Sequence, residues 1–497
     1  MFNKWNISFL FVTLFAIFSL ANVSAVGNQS IDASHIAPFS PSELDVVKQY
    51  LFNNITTEER VIVKEDNGHI IRSIPGAVLA SPTNHGQAFN QDYQFHWTRD
   101  AAITMREIIY LYSHASITEK QRLKPYLLNY INFERKAQSQ ISRPGEQTLG
   151  QPKYNIDGTI WEGDWGRPQN DGPALRAIAM TAIANLFLQE GEEKYVRDVL
   201  IDMITTDLDY VVSQWRNTNF DLWEEVNDQD QFFNKMVQRK GLIDGSVFLR
   251  QMGDRQRADN YRMTAKQISD SLEKHWNDGR GYFTETVNQQ YFKGGGMNTA
   301  IILGVLHGDI GDPEDPFAVN NERVMNTIYF IRNAFSGLYL ININNRLSPP
   351  MVGRYPNDVY DGDQNHYGNP WILITNALAQ YYYTLANVYL GLGKIAVTKG
   401  NMLFFQQIDP RLGDKEEIIL QASNPGKFYS IINSLVTEGD KALETVKRYS
   451  ICYTNFSCLH FAEQIDRTSG SQTSAKDLTW GYASLLTAMQ ARYMLQR

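Results

Sequence analysis

Four stretches of the chain share one pattern, in which a polar loop rich in Asp, Asn, Gly, Trp and Arg runs directly into a long apolar segment. They read FHWTRDAAITMREIIYLY, WGRPQNDGPALRAIAMTAIANLFLQEG, YGNPWILITNALAQYYYTLANVYLGLG and SAKDLTWGYASLLTAMQARYM. Asp, Asn or Pro stands where helix starts favour it, and Gly191 stands where the second helix would stop. These helices are apolar nearly all round, which predicts that they are covered on both sides, and Ala174, Ala177, Ala182 and Ala184 suit close helix contact. More amphipathic segments such as DRQRADNYRMTAKQISDSLEKHW suit an outer layer. Inner helices wrapped by outer ones predict an all-α closed toroid with its functional loops gathered at one end of the inner ring. Short β-like pieces near RVIVKED and GAVLASP are expected at the periphery. No Ser/Thr/Pro-rich linker, charge block or strict short repeat divides the chain, so one domain is expected.

The termini and composition narrow the class. Residues 1–25 place one Lys before an apolar run and end in Val23-Ser24-Ala25, the form of a secretory signal peptide. The run from Ile7 to Leu20 is shorter than the ~20 residues that span a bilayer. A soluble exported protein cleaved near Ala25–Val26 is therefore expected, with 26–497 as a single catalytic domain. A charged fraction of 20% and an aromatic fraction of 12% place the chain among globular proteins with a large core. The formal net charge of −8 offers no basic face for nucleic acid or anionic lipid, so neutral or cationic partners are more natural. The two cysteines, Cys452 and Cys458, are compatible with a local disulfide or with two free thiols, and so short a loop would constrain the unfolded chain little. Asn28, Asn54 and Asn455 stand in glycosylation sequons, to be used only where the producing cell has the machinery.

The chemistry begins in FDLWEEV, where Asp221 and Glu224 are three apart and would share one face of a helical turn while Glu225 points elsewhere. Beside Trp223 and another carboxyl, Glu224 would have its charged form disfavoured and could serve as a general acid. Alone, the pair reads as readily as a solvated acidic helix start. Its context differs: WTRD, EGDWGRPQNDGPALRA, GRYPNDVYDG, GNPW and DLTWGYASLL all combine Trp with Arg, Asp and Asn. Such a mixture describes a carbohydrate pocket, indole faces covering a sugar ring while guanidinium and carboxylate groups bind its hydroxyls. A Trp-rich helical core would explain the rings but not the neighbouring charges, which are costly to bury without a polar ligand. There is no H-E-x-x-H and no paired CxxC, so no metal or other cofactor is expected. His96 and His366 are read as hydrogen-bonded structural residues.

Taken in order from AVLASP to DLTWGYASLL, these motifs resemble those of the glucoamylases, inverting exo-glucosidases of glycoside hydrolase family 15. The resemblance implies a six-fold (α/α) barrel with minor peripheral β-strands and a pocket at one end of the inner helices. It implies that Glu224 is the general acid and that Glu225 binds the sugar on the leaving side. The general base would be Glu463, in AEQ where the family has SEQ, with Ser474 supporting it. An inverting enzyme needs its base across the sugar from its acid, so Asp221, one turn from Glu224, is assigned to tuning Glu224 and not to accepting the proton. Tyr93, Trp97, Arg99 and Asp100 match the segment holding the terminal glucose. Lys153, Trp165, Leu222, Trp223, Arg354, Asp358 and Trp371 complete the expected pocket. The family often reads GRYPED where this chain reads GRYPND, so Asn357 lacks a carboxylate near the leaving-side subsites. The expected partners are starch, glycogen and maltooligosaccharides, cut by a monomer without a separate starch-binding domain, and α-1,6 bonds more slowly. Trehalase-like and glucodextranase-like enzymes of the same barrel, and a silent sugar-binding protein, are the alternatives.

Overall fold

The computed structural model describes residues 36–63, 70–83, 92–140, 148–362, 366–412, 418–453 and 458–495. The expected signal peptide and the sequons Asn28 and Asn455 lie outside these residues. Among the described residues, twelve helices of eight or more residues build the architecture, alternating outer and inner along the chain. They are α1 (Pro41–Asn53), α2 (Thr98–Ser113), α3 (Ile117–Gln138), α4 (Asp171–Gln189), α5 (Ile201–Gln214) and α6 (Phe232–Met252), followed by α7 (Arg255–Leu272), α8 (Ala300–His307), α9 (Glu322–Ser336), α10 (Ile372–Leu392), α11 (Pro425–Arg448) and α12 (Thr479–Met494). The even-numbered helices touch in sequence, α2 to α4 to α6 to α8 to α10 to α12 and back to α2, closing an inner ring. The odd-numbered ones pack outside it, α3 on α2, α7 on α6, α11 on α10 and α1 on α12. This is the expected all-α six-fold (α/α) barrel.

The apolar pattern explains the layering. Every residue of α4 from Asp171 to Ala184 is buried, so the helix has no solvent face, whereas α7 buries only every third or fourth residue. Close inner contact uses small residues as expected: a β-carbon on Gly241 of α6 would stand 3.2 Å from the Ala174 carbonyl of α4. The turn after α4 falls at the predicted stop, with Gly191 at a φ of 81°. The four apolar stretches form α2, α4, α10 and α12, and the amphipathic stretch forms α7.

Helix starts differ from expectation in one respect. Four outer helices carry side-chain caps, from Ser40, Ser116, Asp254 and Asn321. None of the six inner helices has one. Asn170 precedes α4 but its amide oxygen accepts from the Tyr210 hydroxyl at 2.9 Å. The inner N-termini instead open into the loops at one end of the ring.

The strands are two-residue to four-residue ribbons outside the barrel wall. RVIVKED supplies Val61–Val63, paired with Ile70–Arg72, but GAVLASP forms no ribbon, Val78 making only an isolated bridge to Ile55. Three further ribbons, His96–Trp97 with Lys153–Tyr154, Asn219–Phe220 with Asn227–Asp228, and Gln464–Ile465 with Gln472–Thr473, lie beside the inner N-termini. Cys452 and Cys458 form a disulfide. Asn54 is buried, donating at 2.9 Å to both the Asp477 carbonyl and the Thr479 hydroxyl, so this sequon is sealed inside the fold. No helix among the described residues is long and apolar enough to cross a membrane.

Candidate active site

A pocket of about 880 Å³ opens at the N-terminal end of the inner ring. Its axis is filled below: the Trp480 ring lies 6.1 Å from His307, which in turn is 6.4 Å from Phe233. Of the residues expected here, Tyr93, Trp97, Arg99, Asp100, Lys153, Trp165, Leu222, Trp223, Glu224, Glu225, Arg354, Trp371 and Glu463 line this one pocket. Asp221, Asp358 and Ser474 stand behind it, buried against lining residues.

The Asp221–Val226 segment is not a helical turn. It is the tip of the Asn219–Asp228 hairpin, and Glu224 sits at a φ of 65°, which reverses the chain so that Asp221 and Glu224 face opposite ways. The reason is local: the Asp221 Oδ1 atom accepts the Glu225 N–H at 2.7 Å and the Val226 N–H at 2.9 Å, holding the tight loop. Burial pushes the Asp221 carboxyl up to about 6 against these two N–H groups. Asp221 therefore positions the loop from behind, lining a small separate cavity with Glu285 and not the pocket that holds Glu224.

Glu224 also differs from the apolar setting expected of it. Its Oε1 accepts from Trp97 Nε1 at 3.0 Å, Gln169 Nε2 at 3.0 Å and Arg99 at 3.2 Å, while Oε2 accepts from Trp165 Nε1 at 2.9 Å. The indoles meet it through their N–H edges and not their faces. Trp223, its sequence neighbour, turns away to donate to Asn298 at 2.8 Å and packs edge-on against Trp371. Of the four donors to Glu224, Trp165 is the most exposed, at 41%.

Around this carboxyl, Arg99 is held by Gln169 at 3.0 Å and Asp171 at 3.1 Å. Burial pushes the Asp100 carboxyl up to about 6, Arg99 opposing and Glu224 adding to the rise. The Lys153 ammonium lies 3.8 Å from the centroids of both Trp161 and Trp165 and 4.6 Å from that of Trp97. The buried Trp371 indole N–H has no partner among the described residues, which leaves it for a ligand hydroxyl.

Glu463 is buried, 3% exposed, in the loop before α12. Its Oε2 accepts from the Ser474 hydroxyl at 2.5 Å and Gln464 at 3.2 Å, and its Oε1 from the Tyr93 hydroxyl at 3.1 Å. Tyr93 in turn shares a 2.9 Å hydrogen bond with Tyr360. Burial raises the Glu463 carboxyl above the ordinary range, and the Ser474, Gln464 and Tyr93 donors pull it back. The loop bearing Glu224 precedes α6 and the loop bearing Glu463 precedes α12, three positions apart around a ring of six.

Glu225 forms a separate arm. Its Oε1 accepts from Arg354 at 2.8 Å, and its Oε2 from the Tyr355 hydroxyl at 2.5 Å with Lys293 at 3.4 Å. Despite burial, Arg354, Tyr355 and Lys293 hold its carboxyl below the usual range. Arg354 is aligned by a two-bonded contact with Asp358, at 2.8 and 2.6 Å. Asn357 does not face the pocket: its amide oxygen accepts the Gly294 N–H.

Several lining or bracing groups escaped the sequence reading: Phe95, Trp161, Tyr360, Trp480, Gln169 and Asp171. Trp161, four residues before Trp165 in one loop, and the Gln that closes GRPQ carried the clearest missed signals. His96 is structural as expected, its Nδ1 accepting the Val78 N–H at 3.0 Å and its Nε2 lying 2.9 Å from Glu134. His366 contacts Asp361 at 3.0 Å near the surface. Among the described residues no group of three or more His, Cys, Asp or Glu side chains is arranged to hold a metal.

Comparison with known proteins agrees with this geometry. The family model for glycosyl hydrolases family 15 matches residues 59–490. The chain is 32% identical over 484 residues to a glucoamylase of Blastobotrys adeninivorans, covering 93% of this chain and 72% of the relative. It is 34% identical to glucoamylase 1 of Rhizopus oryzae, covering 84% and 67% respectively. Among solved structures, the glucoamylase of Saccharomycopsis fibuligera superposes with a TM-score of 0.78 at 29% identity, over 94% of this chain and 98% of that one. The family 15 glucoamylase of Hypocrea jecorina gives 0.78 at 28% identity, over 91% and 71%.

Proposed function

The chain belongs to glycosyl hydrolase family 15 and is a glucan 1,4-α-glucosidase that releases glucose from starch-type glucans; on that premise we propose that it works from non-reducing ends with inversion, yielding β-D-glucose. Maltooligosaccharides and glycogen are further substrates, and α-1,6 bonds are cut more slowly. The terminal glucose occupies the pocket, with the free Trp371 N–H, Asp100 and the Lys153 ammonium beside its hydroxyls. Glu224 donates a proton to the glycosidic oxygen through Oε2, whose one partner among the described residues, the Trp165 N–H, belongs to a half-exposed ring that can yield. A water on the other face of the sugar gives one proton to Glu463 and its oxygen to the anomeric carbon as the glycosidic bond breaks. Glu224 then carries the negative charge and Glu463 the proton, and exchange with solvent restores both. Carboxylates and the Tyr93 oxygen near the ring stabilise the oxocarbenium-like transition state.

One observation carries this reading: Glu224 and Glu463 enter one pocket from loops three positions apart on a six-membered ring, which suits attack and departure on opposite faces. The filled axis beneath suits a chain end over a through-running chain. Proton NMR during the first minutes of maltose or maltoheptaose hydrolysis tests it. The expected first product is β-glucose; predominant α-glucose would require a retaining double displacement and overturn the mechanism. The sequence of the first 25 residues supports export with cleavage near Ala25–Val26, and N-terminal sequencing of the mature protein checks it. A monomer is expected by size-exclusion chromatography with light scattering.

A further inference from the structure

A turn of three consecutive glycines lies beside the leaving-side arm of the pocket. Gly294, Gly295 and Gly296 all have positive φ, at 56°, 69° and 88°. Side chains are excluded there by contact as well as by backbone: a β-carbon on Gly294 would stand 2.6 Å from Pro356 Cδ, and one on Gly296 2.8 Å from Thr284 Cγ2. The turn is tied by the Gly294 N–H to Asn357 Oδ1, by the Tyr282 hydroxyl to the Gly295 carbonyl at 3.2 Å, by the Gly296 N–H to the Lys293 carbonyl at 2.8 Å, and by the Met297 and Glu285 N–H groups to the Gly294 and Gly296 carbonyls, each at 3.3 Å. Asn357, which replaces the carboxylate often found in the GRYPED motif, thus spends its side-chain oxygen on fixing this turn.

The residue the turn delivers is Lys293, in extended backbone. Its ammonium nitrogen lies 3.4 Å from Glu225 Oε2 and 5.7 Å from the centre of the Tyr355 ring, and its side chain is 40% exposed. An ammonium group has three donors. The ammonium forms an ion pair with Glu225, and partial exposure leaves it reachable from outside. Glu225 itself lines the pocket, fixed from the other side by Arg354 and Tyr355. Glu225, a lining residue, therefore has a cation against it from outside the pocket lining, held at a defined place by a turn that tolerates no side chains.

We propose that Lys293 is a specificity-determining residue for the leaving group: its ammonium donates hydrogen bonds to hydroxyls of the departing glucosyl unit, alongside Glu225. This rests on the glucosidase reading above and on the assignment of Glu225 to the leaving side. Lys293 stands clear of Glu224 and Glu463, so its contribution falls on substrate binding more than on the chemical step.

Steady-state kinetics of Lys293→Met on maltose and on p-nitrophenyl α-D-glucopyranoside, whose leaving group has no sugar hydroxyls, test the assignment. The ratio of kcat/KM for maltose to that for the aryl glucoside should fall about fivefold, the size expected of one partly exposed charged hydrogen bond. The loss should appear in KM, with kcat kept within about twofold. Lys293→Arg should recover most of it. Equal losses on the two substrates, or a loss confined to kcat, would overturn the proposal. The Lys293→Met loss on maltose should also persist in a Glu225→Gln background; if it vanishes there, Lys293 only braces Glu225 and direct donation is wrong. A wild-type protein that hydrolyses neither substrate would overturn the glucosidase reading instead.

Discussion

Ser474 offers the most direct access to the proposed base. Its hydroxyl donates to Glu463 Oε2 at 2.5 Å in a place where Ser474 is fully buried. Ser474 also sits at a φ of 67°, so Ser474→Ala keeps the β-carbon in the same backbone and removes only the donor. A hydrogen bond to a charged group is worth about 1.5 to 3 kcal/mol, equivalent to roughly one to two pKa units. Gln464 and Tyr93 remain as donors, so a rise of about one unit is expected. The sign follows from the chemistry. Burial already raises the Glu463 carboxyl, the hydroxyl favours its ionised form, and a base must be ionised to act. Losing the hydroxyl raises the carboxyl further, and activity is lost earlier as pH falls. The acid limb of the kcat/KM profile on maltose should therefore move up by about one unit while the alkaline limb stays in place. An acid limb that stays fixed or moves down would show that Glu463 is not the group controlling it.

Glu224→Gln and Glu463→Gln should each lower kcat on maltose by about 10²-fold or more with unchanged circular dichroism. α-Glucosyl fluoride, whose leaving group needs little protonation, should partly rescue the first and not the second; near wild-type activity for Glu463→Gln would remove it as the base. In a glycosylating host, peptide mapping should find Asn54 unmodified, because its amide is buried on Asp477 and Thr479, and Asn54→Ala should cost about 1 to 3 kcal/mol in denaturant unfolding. A glycan at Asn54 would contradict the fold there. Burial pushes the Glu107 carboxyl up to about 8, so the stability it contributes is present below its unfolded value and lost as pH rises through 8. Glu107→Gln should accordingly match wild type in Tm near pH 4 and exceed it by several degrees at pH 8; a lower Tm at pH 8 would refute the assignment.

The helical layers were readable because burial on all sides leaves a direct trace in composition, as in α4, where the stretch from Asp171 to Ala184 has no solvent face. The pocket residues were readable for a related reason: Trp, Arg and Asp concentrate where an apolar helix begins, and such charges need a polar partner. What escaped depends on single backbone angles and on contacts distant in sequence. Nothing in FDLWEEV announces that Glu224 adopts a left-handed conformation, yet that angle decides whether Asp221 shares its face. Trp223 was expected to flank Glu224 and instead bonds to Asn298, 75 residues away. The sequon at Asn54 looks like any surface sequon until its partners, 423 and 425 residues along the chain, are in place. Asn357 was legible as a missing carboxylate but not as the anchor of a glycine turn.

The uncapped inner helices connect fold to chemistry. An outer helix gains stability from a Ser, Asp or Asn that satisfies its first N–H groups. The inner ring omits such caps at all six N-termini and places its pocket there. Converging helix N-termini carry partial positive charge, which would oppose a reaction that develops positive charge on a sugar ring. The same field favours nearby carboxylates, and Asp100 and Asp171 stand in first turns while Glu224, Glu225 and Glu463 lie on loops leading into them. Arg99 ties Asp100, Asp171 and Glu224, and Arg354 ties Glu225 and Asp358, so these carboxylates are fixed in place before a ligand arrives. The positive ends of the helices thus help to retain an acidic pocket, and the acids reverse the field at the point where an oxocarbenium-like charge would form.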